Sequence, residues 1–230
     1  MIIIIRSGTE LAAAAKAVAT EYRTLYVMGC FGAPLSSTNK TRYTANHPYN
    51  SQRDRAERIR AATADTFGFD CVGLIKGLLW GWNGDRGKTY GGARYTANGV
   101  PDINADTMIR RCSNVTTDFS SIQPGEAVWT DGHIGIYIGG GLAVEATPKW
   151  GDKVQITAVL NIGSKAGHNG RRWKKHGRLP FVTYTAKTTD DIAREVIAGK
   201  WGNGTERQQR LTAAGYDAAA VQSRVNALLK

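Results

Sequence analysis

Between residues 125 and 160 the chain changes character, and that change limits the folds open to it more than any other feature. "GEAVWT", "HIGIYIG", "LAVEATP" and "KVQITAVL" are β-branched and aromatic runs, separated by turn residues at "TDG" and "GGG". Runs of this kind bounded by such turns pair as consecutive antiparallel strands. The pattern predicts a meander of at least four strands, closed by a last strand within "RRWKKHGRLPFVTYT". The upstream half reads differently. "SGTELAAAAKAVATEYRTL" has the alanine content of a helix, capped by Ser7 or Thr9. "CVGLIKGLLWGW" reads as a central buried helix, and "NADTMIRRC" as a short one capped by Asn104. Helices first and a compact antiparallel sheet afterwards is an α+β arrangement.

Two stretches interrupt this order. Residues 39–66 are polar and arginine-rich, with a helix expected over "SQRDRAERIRAATA", and read as a solvated face sooner than a binding surface. "NGDRGKTYGGARYTANGVPD" is glycine-rich and reads as a long, site-lining loop. "AKTT" looks like a hinge, and beyond it there is no strand pattern. "DDIAREVIAGK", "TERQQRLTAAG" and "DAAAVQSRVNALLK" each carry apolar residues at helical spacing, with Thr205 and Asp217 at N-cap positions and Gly199 and Gly215 at stops. The expected division is a first domain over residues 1–185, a linker over 186–189 and a small three-helix bundle over 190–230.

The formal net charge is +11, of which +1 falls on the last forty-one residues. A basic first domain favours anionic polymers, a bacterial wall among them. A nucleic-acid partner is not expected, because the chain lacks a basic tail, a basic helix or a stacked aromatic platform. The opening "MIIIIRSG" reads as a first strand or a helix lead-in. Its apolar run is shorter than the roughly 7–15 residues of a secretory h-region, so the chain is expected to be made in the cytoplasm without a signal peptide.

Three cysteines, Cys30, Cys71 and Cys112, make neither a CxxC pair nor an even set, so neither a disulfide framework nor a zinc site is expected. Cys71 follows Asp70 at the start of a helix, where the dipole and an imidazolium would favour a thiolate. Of the four histidines, His133 alone begins a strand, and Glu145 on the next strand lies among apolar residues, where a carboxylate needs a partner. Nucleophile, base and orienting carboxylate is the chemistry this trio suggests. Each has a plainer reading as well: a core thiol, a satisfied sheet histidine and a solvent-facing glutamate.

"LYVMGCFG", "FDCVGLIKG", "SSIQPGEAVW" and "GHIGIYIGGGLAVEA" occur in the order found in the NlpC/P60 family of cysteine peptidases. The resemblance covers most of residues 7–160 and implies a papain-like domain of N-terminal helices packed on an antiparallel sheet, acting on peptidoglycan. It implies Cys71 as nucleophile, His133 as base and Tyr26 as a substrate-binding tyrosine. Glu145 stands where the family commonly has histidine, and Val72 where it has serine. Asp70, Trp80 and Trp129 join Tyr26 as expected substrate contacts, with Trp82 a further groove candidate, although core packing competes for the tryptophans.

The tail independently resembles the Cpl-7 type of cell-wall-binding repeat through "VIAGKWGNG" and "RLTAAGYD". That resemblance implies muropeptide binding around Trp201, Gly202, Asn203 and Arg207, with bundle packing the alternative for Trp201. Together the two imply a phage-type endolysin without cofactor or metal, released to the wall through a holin. Its expected reaction is cleavage of a stem-peptide amide as an endopeptidase. The alternatives are an N-acetylmuramoyl-L-alanine amidase with the same triad and a wall-binding protein with an inactive enzyme domain. A single repeat also raises self-association as a route to avidity.

Overall fold

The computed structural model describes residues 5, 7–184, 188–213 and 216–229. The chain divides into two compact units, residues 1–184 and 185–230. Most of the opening isoleucine run, the expected hinge at 185–187 and the expected helix stop at Gly215 lie outside the described residues.

The first unit begins with α1 (Gly8–Glu21), which starts where it does because Ser7 and Glu10 form a reciprocal cap. The Ser7 hydroxyl accepts from the Glu10 amide at 3.2 Å, and the Glu10 carboxylate accepts from the Ser7 amide at 3.0 Å. Leu11, Ala15 and Val18 recur at helical spacing and are wholly buried. The helix was expected to run on to Leu25, but Thr24–Tyr26 forms β1 instead. β1 pairs parallel with β3 (Phe67–Phe69), which also pairs antiparallel with β2 (Phe31–Pro34). These strands of three or four residues are set by pairing across forty residues of chain, for which local composition carries no signal.

The arginine-rich segment between them folds as α2 (Ser37–Asn46), α3 (Pro48–Ser51) and α4 (Arg53–Ala61). Its outer side is the expected solvated face, with Arg42, Arg53, Asp54, Glu57, Arg58 and Arg60 exposed, while a few inward residues brace the core. Asn50 exchanges hydrogen bonds with the Met28 backbone, at 3.0 Å to its amide and 2.9 Å from its carbonyl. Arg55 is buried, donates to Asp152 at 2.6 Å and also reaches the Tyr26 carbonyl. The segment thereby clamps the strand that carries Tyr26.

α5 (Cys71–Leu79) is buried along its whole length. Gly73 and Gly77 explain how it sits so close to β2, since a Cβ at either would stand 2.1 Å from the Cys30 carbonyl oxygen or 2.3 Å from that of Phe31. After a long loop and α6 (Ala105–Arg111) comes the large sheet. Its strands are β4 (Ser113–Thr116), β5 (Ala127–Thr130), β6 (His133–Gly139), β7 (Leu142–Thr147), β8 (Lys153–Val159), β9 (Gly170–Arg171) and β10 (Lys175–Arg178). The order is β4-β10-β5-β6-β7-β8-β9, so the expected meander from β5 to β8 is intact and the closing strand returns beside β5. Ile134, Ile136, Val144 and Ala146 pack with Leu74, Ile75 and Leu78 of α5 in one core, while Val128, Tyr137, Ala143 and Trp173 form a second cluster. Each fully buried leucine or isoleucine of α5 contributes about 1.5–3 kcal/mol.

The second unit holds α7 (Thr189–Ile197), α8 (Gly204–Ala213) and α9 (Ala218–Leu228). Thr188, read as part of the linker, caps α7 in a capping box with Asp191. Asp217 caps α9 as expected, whereas α8 starts at Gly204, one residue before Thr205. Gly199, with φ of 75°, follows α7 in the left-handed conformation of a helix stop. Ile192, Ala193 and Val196 pack against Leu211, Val221 and Val225. No helix among the described residues is long and apolar enough to cross a membrane.

Candidate active site

Asp70 is the N-cap of α5, and both its oxygens are spoken for. One accepts from the Gly73 amide at 2.5 Å and the other from the Gly29 amide at 2.7 Å. It ties the first turn of α5 to the loop after β1, so it positions Cys71 and leaves no oxygen turned to a substrate. Burial nonetheless holds its carboxyl above the usual range, against the effect of those amides.

Cys71 is the first residue of α5, with Sγ 4.0 Å from the carbonyl oxygen of Gly132, the residue before His133. Burial, with the nearby Asp70 charge, pushes its thiol up to about 12. Desolvation therefore works against the thiolate that the start of the helix would favour. Burial also raises Cys30 to about 11 and Cys112 to about 12, so acidity does not distinguish the three. Place does: Cys71 alone among them opens a helix beside the strand that His133 begins.

The His133 Nε2 lies 2.7 Å from Glu145 Oε2, and its ring stacks on Trp173 at 5.6 Å with an interplanar angle of 8°. Glu145 is wholly buried on β7 and also accepts from the Thr157 hydroxyl at 2.7 Å and from Arg171 Nε at 2.8 Å. Burial alone would raise its pKa, but the bonds from His133 and Arg171 outweigh that and hold it below the ordinary glutamate value. An ionised acceptor at Nε2 takes a proton held there, so that Nδ1 is the ring nitrogen turned away from Glu145. The solvent-facing alternative for Glu145 is excluded by its burial.

Tyr26 is buried at the end of β1, near Cys71 and Asp70, and its hydroxyl lies 3.9 Å from the Met28 sulfur. Burial drives its phenol far above the ordinary value, so it remains an O–H donor. Trp129, half-buried on β5, donates to Asp106 at 2.9 Å, and the same Asp106 oxygen accepts from the Gly132 amide at 2.9 Å. Asp106 thus pins the turn ahead of His133. Trp80 does not line a groove: it is 1% exposed and donates to the Val100 carbonyl at 2.8 Å within the core. Trp82 is similarly consumed, donating to the Gly32 carbonyl at 2.8 Å.

Arg171, Thr157, Trp173 and Asp106 escaped the reading of the sequence. The only signal for Arg171 and Trp173 was the basic, aromatic run "RRWKK", which resembles any solvated charge cluster. In the second unit, Trp201 is half-buried, packs edge-on to Tyr216 at 5.7 Å and donates to Glu195 at 3.1 Å. Gly202 has φ of 76°, the Asn203 carbonyl accepts from the Arg207 amide at 3.4 Å, and the Asn203 side chain is exposed.

Residues 190–229 match the family model described as the CW_7 repeat. Over 42 residues the chain is 55% identical to the lysozyme of Streptococcus phage Cp-7, a match covering 18% of this chain and 12% of that relative's length. Among solved structures, NlpC2 from Trichomonas vaginalis aligns over 80% of this chain and 49% of its own, with a TM-score of 0.42 and 17% identity.

Proposed function

We propose that residues 1–184 form a cysteine hydrolase that cleaves an amide bond in the stem peptide of bacterial peptidoglycan. The observation that carries this reading is the juxtaposition of a helix-opening Cys71, 4.0 Å from the residue preceding His133, with a His133 bound to a wholly buried Glu145. The NlpC/P60-like motifs along the same residues support the substrate class, as does a tail that matches the CW_7 repeat. That tail would hold the enzyme on muropeptide through Asn203 and Arg207, while the basic first unit is drawn to anionic wall polymers. The whole would serve as a phage endolysin, made in the host cytoplasm and acting on the wall once a holin opens the membrane.

Because burial raises the Cys71 thiol, its proton would leave at the moment of attack. His133 Nδ1 takes that proton as sulfur bonds to the carbonyl carbon, and returns it to the leaving amine when the C–N bond breaks. Glu145 holds the ring by Nε2 and balances the imidazolium charge. In this reading backbone amides at the start of α5, with the Tyr26 hydroxyl, would receive the oxyanion. Water then attacks the thioester, with His133 again as base. Tyr26 and Trp129 remain the substrate contacts of this reading, and endopeptidase is preferred to N-acetylmuramoyl-L-alanine amidase.

A second reading, a wall-binding protein with a silent enzyme unit, is favoured by one observation: the buried, high-pKa Cys71 thiol. Mass spectrometry of purified peptidoglycan treated with wild type and Cys71→Ala separates the two. New amino groups released by wild type alone support the hydrolase, and split stems against intact stems separate endopeptidase from amidase. Equal digestion by both proteins makes Cys71 a packed thiol. Digestion by neither, with wall binding intact, leaves the silent unit.

A further inference from the structure

Glu145 is an unusual orienting group, because it is closed to water while His133 and Arg171 beside it are partly exposed. Its carboxylate is wholly buried, and such a group takes up a proton unless a cation and hydrogen bonds keep it ionised. The groups facing it can be named element by element. His133 comes from β6, the Thr157 hydroxyl from β8 and Arg171 from β9, while α1 and α5 bring apolar residues, the Cys71 thiol and the buried Lys76, which is paired with Asp102. Arg171 is the only permanently charged cation bonded to it among the described residues.

Arg171 is itself held firmly. β9 pairs parallel with β8, with Arg171 opposite Val159, and the Arg171 carbonyl accepts from the Leu160 amide at 2.9 Å. Its guanidinium lies 5.2 Å from the ring centroid of Trp150 and 5.4 Å from that of Trp173. Trp173 is also the ring on which His133 stacks. One tryptophan thus fixes both the base and the cation that serves its carboxylate, and Trp150, 37% exposed, flanks the guanidinium. A planar, delocalised cation suits this aromatic setting as an ammonium does not.

We infer that Arg171 is a positioning residue that acts through Glu145, orienting and charging the carboxylate that holds His133. The inference rests on the hydrolase reading for its consequence but on the Glu145 contacts for its content. The sign is definite. With Arg171 present, the ionised Glu145 persists above its lowered pKa and is lost only as pH falls through it. Without the cation that loss occurs at higher pH.

The test is the pH dependence of kcat/KM on purified peptidoglycan for wild type, Arg171→Gln and Arg171→Lys. Gln keeps a donor and much of the packing but no charge. Its acid limb is expected to move up by about one unit or more. Lys keeps the charge without the fork, so its limb stays near that of wild type while its rate drops several-fold. A limb for folded Arg171→Gln that superimposes on wild type overturns the inference. If Arg171→Gln does not fold, Glu145→Gln/Arg171→Met leaves no unpaired buried charge and is compared with Glu145→Gln alone. Equal rates within about twofold support action through Glu145, and a further tenfold loss places the role of Arg171 elsewhere. Should Cys71→Ala digest as well as wild type, the hydrolase reading fails separately. The carbon-13 titration of the Glu145 carboxyl then decides the inference: a midpoint raised by removing the Arg171 charge supports it, and an unmoved one overturns it.

Discussion

Glu145 Oε2 stands 2.7 Å from His133 Nε2 at a site where the carboxylate has no exposure to water. A carboxylate so placed fixes both the plane and the tautomer of the ring, and an amide in its place can present the wrong group to Nε2. Glu145→Gln is expected to lower kcat for peptidoglycan hydrolysis by about 10²–10⁴ while the circular dichroism spectrum stays that of wild type. A variant within twofold of wild type would remove Glu145 from the machinery.

A Cys71 thiol raised by burial has a kinetic signature. Burial places its thiol at about 12, so the thiolate fraction grows about tenfold per pH unit across the neutral range. Alkylation of Cys71 by iodoacetamide, followed by peptide mass spectrometry, should rise with that slope between about pH 6 and 9. A rate that is flat over the same range indicates a preformed thiolate–imidazolium pair instead.

Asp70 joins two segments through one side chain, accepting from Gly73 and Gly29. Asp70→Ala leaves both amides without that acceptor in a buried place and removes the cap of α5. A loss of about 1–3 kcal/mol in urea unfolding is expected, larger than for Asp70→Asn, which keeps an acceptor. Equal stabilities for the two variants would show that the cap does not carry the effect.

The buried His176 supplies a pH test away from the proposed chemistry. His176 Nδ1 meets Glu126 at 2.5 Å, and its Nε2 reaches the Asp118 carbonyl oxygen at 2.8 Å. Burial alone would lower its pKa, but these two bonds outweigh that and raise it. A raised folded pKa gives stabilisation that is complete below the unfolded value of about 6.5 and lost as pH rises through the folded one. The melting temperature of wild type should therefore exceed that of His176→Gln most near pH 6, with the gap narrowing at higher pH. A gap that widens with pH contradicts the charged pair.

In the second unit two neighbouring residues should fail in different ways. Trp201 packs on Tyr216 and bonds Glu195, so Trp201→Ala is expected to melt the bundle, at a cost of about 2–4 kcal/mol. Arg207→Ala should leave melting unchanged but reduce co-sedimentation of the full chain with purified walls. Unaltered sedimentation would move the binding surface away from the α7–α8 loop.

The local chemistry of the sequence was enough for the elements that local forces build. Alternation and turns specified the meander from β5 to β8, capping residues placed the starts of α1, α6 and α9, and the order of motifs singled out Cys71, His133 and Glu145. Tertiary structure alone decided the rest. The strands β1, β2 and β3 exist through partners far along the chain, Arg55 is buried because Asp152 waits for it ninety-seven residues away, and Trp80 is core because of what surrounds it. The same holds for the state of the site. Whether Cys71 is thiol or thiolate, and whether Glu145 is charged, depends on desolvation and on Arg171 twenty-six residues further on. Periodicity and propensity act over a few residues, whereas burial and charge pairing act through space, and only the folded chain sets those distances.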